Sequence, residues 1–268
     1  MFLKIVIIAF AVSNTASARD DVWTGFVASW ALDTSTNFFP LPQTLELAKS
    51  QGWTSISDLK ESDDITPLGY DGDWRVVVLY SVTTGAACGV HVAFPIEDVN
   101  NTGEPMIYAE ISAITTKVIE GVECYTATVY FSIDESSGSR RIWFQEQDSQ
   151  HEIPTDTSDV VSETEYDADY CIPTMGDHYY IMNSTSDCAY LYPWFLVGKG
   201  ENLIGVGFQG FGSGTSSSKR IWWEDIPPTG LVTAVRDPPT CAKNAMYEYG
   251  VISLHIWFVD APQNITCD

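Results

Sequence analysis

Histidine is the side chain best suited to proton chemistry near neutral pH, and the chain contains four, His91, His151, His178 and His255. No H-E-x-x-H or H-x-H spacing joins them, and the sequence has no G-x-S-x-G nucleophile elbow. We therefore assign no catalytic residue and expect a protein that is not an enzyme. A metal-dependent hydrolase assembled from histidines and aspartates distant in sequence stays open as an alternative, because β folds bring such residues together without local spacing.

A short motif around His178 is the most informative local pattern, Met175-Gly176-Asp177-His178-Tyr179. Glycine tolerates a positive φ, so Gly176 is suited to a tight turn. We predict that His178 then begins a strand beside a disulfide-bonded loop and hydrogen-bonds across to the next hairpin. A metal or ligand contact is the alternative role for this imidazole.

Aromatic residues are abundant in the C-terminal half of the chain. Of 34 aromatic residues (9 Trp, 13 Tyr and 12 Phe), two precede residue 19, which leaves 32. They either fill a core or line a groove for an apolar ligand. Two adjacent tryptophans, Trp222 and Trp223, cannot both point inward on a strand, so one of them needs a pocket, a partner surface or solvent. The ligand-binding residues that we predict are Trp222, Trp223, Trp257, Phe208 and Tyr180, with His255 and His178 as polar partners.

Alternation of apolar and polar residues with a period of two predicts strands. It is clear in residues 88–94, 125–131 and 252–258, and residues 74–80 are apolar on both faces. Residues 191–197 and 203–208 flank a glycine-bearing loop and predict a β-hairpin. On these faces His91 and His255 fall on the less apolar side, where a hydrogen-bonded structural histidine is the default interpretation.

Helical patterns are few, at residues 42–50 and 226–235. Residues 146–169 hold nine acidic residues and no Lys or Arg, which predicts a solvated loop and the one candidate internal linker. The acidic group around Asp167 and Asp169 could offer oxygen ligands to calcium, although no EF-hand pattern is present. We predict a mainly β fold (β-rich α+β): an antiparallel sheet, sandwich or barrel with one or two short helices, in a single domain over residues 19–268.

The N-terminus has the three parts of a secretory signal peptide. Lys4 precedes an apolar run over residues 5–12, and Ala16-Ser17-Ala18 fits the small-residue rule at the cleavage site. The apolar run is too short to span a bilayer. We therefore predict a signal peptide over residues 1–18 and a secreted, extracellular protein without a membrane span.

The strongly acidic composition excludes several classes of partner. The formal charge is −23, and removal of Lys4 with the signal peptide gives −23 − 1 = −24. Such a chain repels nucleic acid and anionic lipid. Solubility is the simple explanation of this charge, and binding of cations or of a basic partner is the alternative.

Six cysteines lie in the predicted mature chain: Cys88, Cys124, Cys171, Cys188, Cys241 and Cys267. An even number in an oxidising compartment predicts three disulfides. Fifteen pairings are open, of which we prefer the sequential one, because Cys171/Cys188 and Cys241/Cys267 each bracket a compact segment. Sequons begin at Asn100, Asn183 and Asn264 and predict a glycoprotein.

The chain resembles a group of secreted animal proteins, largely uncharacterised, in which a cysteine, M-G-x-H-Y and a second cysteine precede two strands and a C-terminal cysteine. The matching residues run from Cys171 to Phe208, with Cys267 at the end. Val197-Gly198 replaces the L-Y that ends the first strand in that group. The resemblance implies a secreted β-rich fold and a structural role for His178. It implies no activity.

Three functional hypotheses remain. The first is a secreted soluble protein that binds a small apolar molecule, such as a carotenoid, a retinoid or a lipid; no cofactor is certain, but an apolar chromophore or lipid is the candidate. The second is an extracellular protein–protein interaction or structural glycoprotein, with a homo-oligomer as one arrangement. The third is the metal-dependent hydrolase.

Overall fold

The computed structural model of the chain describes residues 23–29, 38–100, 106–134, 139–214, 220–224, 226, 227 and 229–267. The predicted signal peptide lies outside the described residues, and so do Asn101 and Thr102 of the first sequon.

The described part of the chain is built mainly from strands. They are β1 (Val27–Ser29), β2 (Phe38–Pro40), β3 (Trp53–Ser55), β4 (Ile65–Tyr70), β5 (Val76–Ser81), β6 (Ala87–Pro95), β7 (Thr115–Ile119), β8 (Val122–Asp134), β9 (Ser139–Glu146), β10 (Ser149–Ile153), β11 (Asp167–Ile172), β12 (Gly176–Tyr180), β13 (Trp194–Lys199), β14 (Asn202–Phe211) and β15 (Val251–Trp257). The helices are α1 (Leu45–Ser50), α2 (Glu97–Asn100), α3 (Thr157–Glu163), α4 (Gly230–Ala234) and α5 (Thr240–Tyr249).

The strands form two antiparallel sheets. The first has the order β11-β12-β13-β14-β15-β1-β2, and the second has the order β10-β9-β8-β6-β5-β4-β3, with β7 also pairing with β8. The mainly β, antiparallel fold predicted from the sequence is therefore confirmed. The strands expected at 74–80, 88–94, 125–131 and 252–258 and the hairpin at 191–208 are present as β5, β6, β8, β15 and β13–β14.

The inner faces of the two sheets pack against each other through aromatic rings. Phe94 of β6 contacts Phe208 of β14, with 5.6 Å between ring centroids, and Phe144 of β9 stacks on Trp194 of β13 at 5.2 Å. These rings are fully buried. Because side chains alternate along a strand, the neighbours of Trp194 and Phe208 point to the outer face of the first sheet.

Two disulfides are present, Cys171–Cys267 and Cys188–Cys241. The prediction of three sequential bonds is wrong, because Cys88 and Cys124 are free thiols. Cys124 of β8 pairs with Pro95 of β6, seven residues along that strand from Cys88, or about 23 Å at ~3.3 Å per residue. A disulfide needs Cα atoms within about 7 Å.

Cys171 also pairs differently from the sequence-based preference. The backbone N–H of Thr174 donates to the carbonyl of Ile265, so the C-terminal segment lies beside the turn between β11 and β12. This contact brings Cys267 to Cys171. Cys188 instead joins α5 through Cys241.

The acidic segment 146–169 is not a loop throughout. It contains β10, α3 and the start of β11, and the side chain of Asp156 caps α3 by accepting from the N–H of Ser158. Buried apolar residues are few in this segment, and most exposed positions carry an acidic or hydroxyl side chain, so the sequence shows little periodicity. Helices predicted at 42–50 and 226–235 are present as the shorter α1 and α4, and α5 was missed. Among the described residues, no helix combines the length and apolar character needed to cross a bilayer.

Candidate functional site

A cavity of about 370 Å³ lies on the outer face of the first sheet. Strands β12 to β15 supply its floor through residues that include His178, Phe195 and His255. Further walls are formed by Glu224, Ile226, Pro227, Thr229, α4 and Met246 of α5. The cavity therefore sits between the sheet and the irregular C-terminal cover.

The lining is mostly apolar, and methionine is prominent in it. Every methionine after the initiator contributes: Met106, Met175, Met182 and Met246. The unbranched thioether side chain adapts its shape to irregular neighbours. Such walls suit a hydrophobic molecule better than an ion.

One wall of the cavity is polar and holds a chain of hydrogen bonds. Nδ1 of His255 lies 2.6 Å from Oε1 of Glu224, and Nε2 of His255 lies 3.2 Å from Nε2 of His178. Nδ1 of His178 lies 3.0 Å from the carbonyl oxygen of Gly176. All three side chains are buried.

Two serines complete the surroundings of the Glu224 carboxylate. The hydroxyl of Ser253 donates to Oε2 at 3.0 Å, and the hydroxyl of Ser29 donates to Oε1 at 3.1 Å. With His255, Glu224 thus accepts from three donors. A carboxylate oxygen accepts hydrogen bonds, so these three contacts occupy both oxygens of Glu224.

The hydrogen bonds fix the number of protons in this cluster. A carbonyl oxygen can only accept, so Nδ1 of His178 carries a hydrogen. The contact between the two Nε2 atoms requires a second proton, and the contact between His255 and Glu224 requires a third. Three protons shared by one carboxyl group and two imidazoles leave the cluster without net charge, and His255, which contacts the carboxylate, donates to Nε2 of His178.

The environment of His178 agrees with that assignment. Burial, and then the charge of His255, lower the pKa of His178 to about 3. The neutral ring can accept the hydrogen of His255 through Nε2. Burial also raises the pKa of Tyr180, whose ring stacks on His178 and on Phe195, so this phenol stays neutral.

The strand register explains how the two histidines meet. Gly207 of β14 pairs with Phe195 of β13 on one side and with His255 of β15 on the other. Gly207 has no side chain, so the Phe195 ring lies over it; an added Cβ would fall 1.9 Å from that ring. The absence of a side chain at Gly207 leaves room on this face of the sheet for the side chains of His178 and His255 to contact each other. The predicted hydrogen bond from His178 to the hairpin is therefore wrong, since its partner lies beyond the hairpin on β15.

Glu224 is held by its backbone as well as by its side chain. Its N–H donates to the carbonyl of Ser253 at 2.9 Å, which fastens the 220–224 segment along β15. Sequence reasoning missed Glu224, Ser253 and Ser29 as members of the cluster. For Ser253 a signal existed, because it shares the polar face of β15 with His255. Glu224 had no such signal, being one carboxylate among 36.

Of the predicted ligand-binding residues, Tyr180, His178 and His255 line the cavity, and the four others do not. Trp257 stacks behind His255, and Phe208 packs between the sheets. The indole N–H of Trp222 donates to Asp73 at 2.8 Å, in an aromatic cluster with Phe39 and Trp53.

The prediction that Trp222 and Trp223 cannot both point inward is wrong, because both are buried. Residues 220–224 are irregular and not a strand, so the alternation of a strand does not apply to them. Trp222 is inaccessible to solvent and Trp223 is 5% exposed.

No three His, Cys, Asp or Glu side chains of the described residues are arranged to hold a metal ion. The His178–His255 pair has one carboxylate, and that carboxylate already accepts three hydrogen bonds. The geometry is that of a polar patch in an apolar cavity.

Searches of protein-family profiles, of curated proteins and of solved structures found no match to this chain.

Proposed function

We propose that the protein is a secreted, soluble binding protein for a small apolar molecule. The observation that carries the proposal is the cavity itself: methionine, aromatic and aliphatic side chains form most of its walls, and the Glu224–His255–His178 cluster lies at one side. Small-molecule sites combine such apolar lining with a few convergent polar groups that orient the ligand.

The cavity volume gives the scale of the ligand. At about 370 Å³ it lies near the lower end of the ~300–1,000 Å³ range of small-molecule sites. A medium-length lipid chain or a retinoid is smaller than a carotenoid with its forty-carbon skeleton. Among these candidates, the volume favours a lipid chain or a retinoid.

Secretion is supported by several features. The two disulfides suit an oxidising compartment, and the N-terminal eighteen residues have the composition of a signal peptide. Asn183 and Asn264, two of the sequon asparagines, are exposed. The extracellular interaction hypothesis requires exposed aromatic residues. Trp222, Trp223 and Trp257, however, are all buried.

The test is binding of a neutral apolar probe to protein secreted by eukaryotic cells. We expect N-phenyl-1-naphthylamine to gain fluorescence on binding, and organic extraction of the freshly purified protein to release a hydrophobic compound. The variant Ala234→Phe fills the cavity and should abolish probe binding. Val232→Phe lies on the same helix with its side chain 46% exposed and outside the lining, so it should bind the probe normally.

Failure of the probe to bind the native protein, together with an extract free of hydrophobic compounds, would refute the proposal. Equal binding by Ala234→Phe and Val232→Phe would place the ligand elsewhere on the molecule.

A further inference from the structure

The charge balance of the Glu224–His255–His178 cluster bears on which ligands the cavity accepts. We infer that the bound molecule ends in an uncharged hydrogen-bonding group, an alcohol or a carbonyl, and that the site discriminates against carboxylates. This inference rests on the proposed ligand-binding function.

The cluster already has zero net charge without a ligand. Glu224, the one carboxylate of the cluster, lies 2.6 Å from His255, and the three protons that the hydrogen bonds require balance its charge. The second histidine, His178, is kept neutral by its burial, and it donates to the Gly176 carbonyl and accepts from His255. A ligand carboxylate would place two anions beside one cation.

A second anion would find no cation in the described lining of the cavity, because no Lys or Arg is among those residues. The other lining residues are mostly methionine, aromatic and aliphatic, and the further polar side chains, Gln209, Thr229 and Thr233, are uncharged. Burying an unpaired ionised carboxylate among such groups is strongly unfavourable.

The two imidazoles present one hydrogen-bond donor and one acceptor to an uncharged group of the ligand. The N–H at Nε2 of His255 and the lone pair at Nε2 of His178 lie 3.2 Å apart. An alcohol oxygen can accept from His255 while its O–H donates to His178. A carbonyl oxygen can accept from His255 alone. Both replace the bond between the histidines without changing the net charge.

Glu224 should therefore be a specificity-determining residue. If it is replaced by glutamine, the amide oxygen can still accept from Nδ1 of His255, but the negative charge is lost. Both histidines then keep a hydrogen on Nδ1. If a proton lies between the two Nε2 atoms, the cluster has an uncompensated positive charge. If no proton lies there, the two nitrogen lone pairs repel each other. A ligand carboxylate would supply the missing charge.

The experiment is a matched series with one chain length, 1-dodecanol, dodecanal and dodecanoic acid, measured at pH 7.5 by displacement of N-phenyl-1-naphthylamine. We expect the native protein to bind the alcohol and the aldehyde at least tenfold more tightly than the acid. In Glu224→Gln this preference should shrink by at least tenfold. Glu248→Gln removes a carboxylate on the exposed side of α5, and it should keep the native preference.

Equal or tighter binding of dodecanoic acid by the native protein would overturn the inference, whether or not Glu224→Gln folds. A tenfold rise in affinity for dodecanoic acid between pH 7.5 and pH 5, where the acid begins to bind as its neutral form, would support it independently of any variant. Absence of binding by every member of the series, with the probe also unbound, is instead the failure of the proposed function.

Discussion

The indole of Trp257 lies flat against the imidazole of His255, with 4.9 Å between ring centroids and 9° between ring planes. Its N–H donates to the carbonyl oxygen of Met175 at 3.1 Å. Trp257 thus connects β15 to the turn that precedes His178. It holds His255 in place from behind while remaining outside the cavity lining.

Replacing Trp257 with phenylalanine keeps an aromatic face but removes that hydrogen bond. The Met175 carbonyl then loses a buried partner, which should lower the free energy of unfolding by about 1–3 kcal/mol. Urea denaturation measures the change. Trp143→Phe, at a half-buried position under Arg141, serves as the control and should cost less. A Trp257→Phe variant as stable as the control would contradict the role assigned to this indole.

Replacing Gly207 with alanine should displace the Phe195 ring, because the new Cβ would fall 1.9 Å from its nearest ring atom. Forced repacking of this kind costs about 1–3 kcal/mol. The displaced ring should also reduce binding of the apolar probe. The double variant Gly207→Ala with Phe195→Leu removes the clash, so its loss of stability should be smaller than the sum of the two single losses. Simple additivity would show that the ring and Gly207 are not coupled.

Lowering the pH should destabilise the native protein through His91. Burial, and then the charge of Lys117, lower the pKa of His91 to about 3, from 6.5 in an unfolded chain. Between these values the unfolded state binds the proton and the folded state does not. The contribution of His91 is therefore complete above pH 6.5 and is lost as the pH falls, by up to about 1.4 kcal/mol per pH unit.

The variant His91→Gln isolates this effect from the titration of carboxylates. It keeps a polar group near Thr128, whose Oγ1 lies 2.7 Å from Nδ1 of His91. The difference in unfolding free energy between the native protein and the variant should decrease steadily from pH 6.5 to pH 4. Parallel stability curves over that interval would show that His91 does not carry the linkage.

The free thiols Cys88 and Cys124 should be inert in the folded protein. Burial raises the pKa of each thiol to about 12, so the reactive thiolate is scarce at neutral pH. We expect iodoacetamide to label neither in native buffer and both in urea, and non-reducing peptide mapping to recover Cys171–Cys267 and Cys188–Cys241. A labelled native thiol, or a third disulfide, would disprove this assignment.

Local patterns predicted the strands well and the site only in part. The alternation in β15 placed His255 on the polar face, and the motif around Gly176 placed His178 at the start of a strand; in the structure Gly176 has φ +110°. The meeting of these rings depends on the register of β13, β14 and β15 around Gly207, which no local pattern encodes. Glu224 reaches them from an irregular segment. Its position follows from its backbone bond to Ser253 and from its side-chain bonds to Ser29, Ser253 and His255, so it could be known only from the tertiary structure.

Strand β1 pairs with β15, and Ser29 lies directly opposite His255. Contacts between the first and last strands of a chain are slow to form, because a long loop must close before they contribute. During synthesis more than 220 residues separate the appearance of Ser29 from that of His255. The cluster that faces the cavity is therefore assembled in one late step. A chain truncated before β15 would lack an interior strand of the first sheet, and β1 and β14 would each expose one unpaired edge open to aggregation.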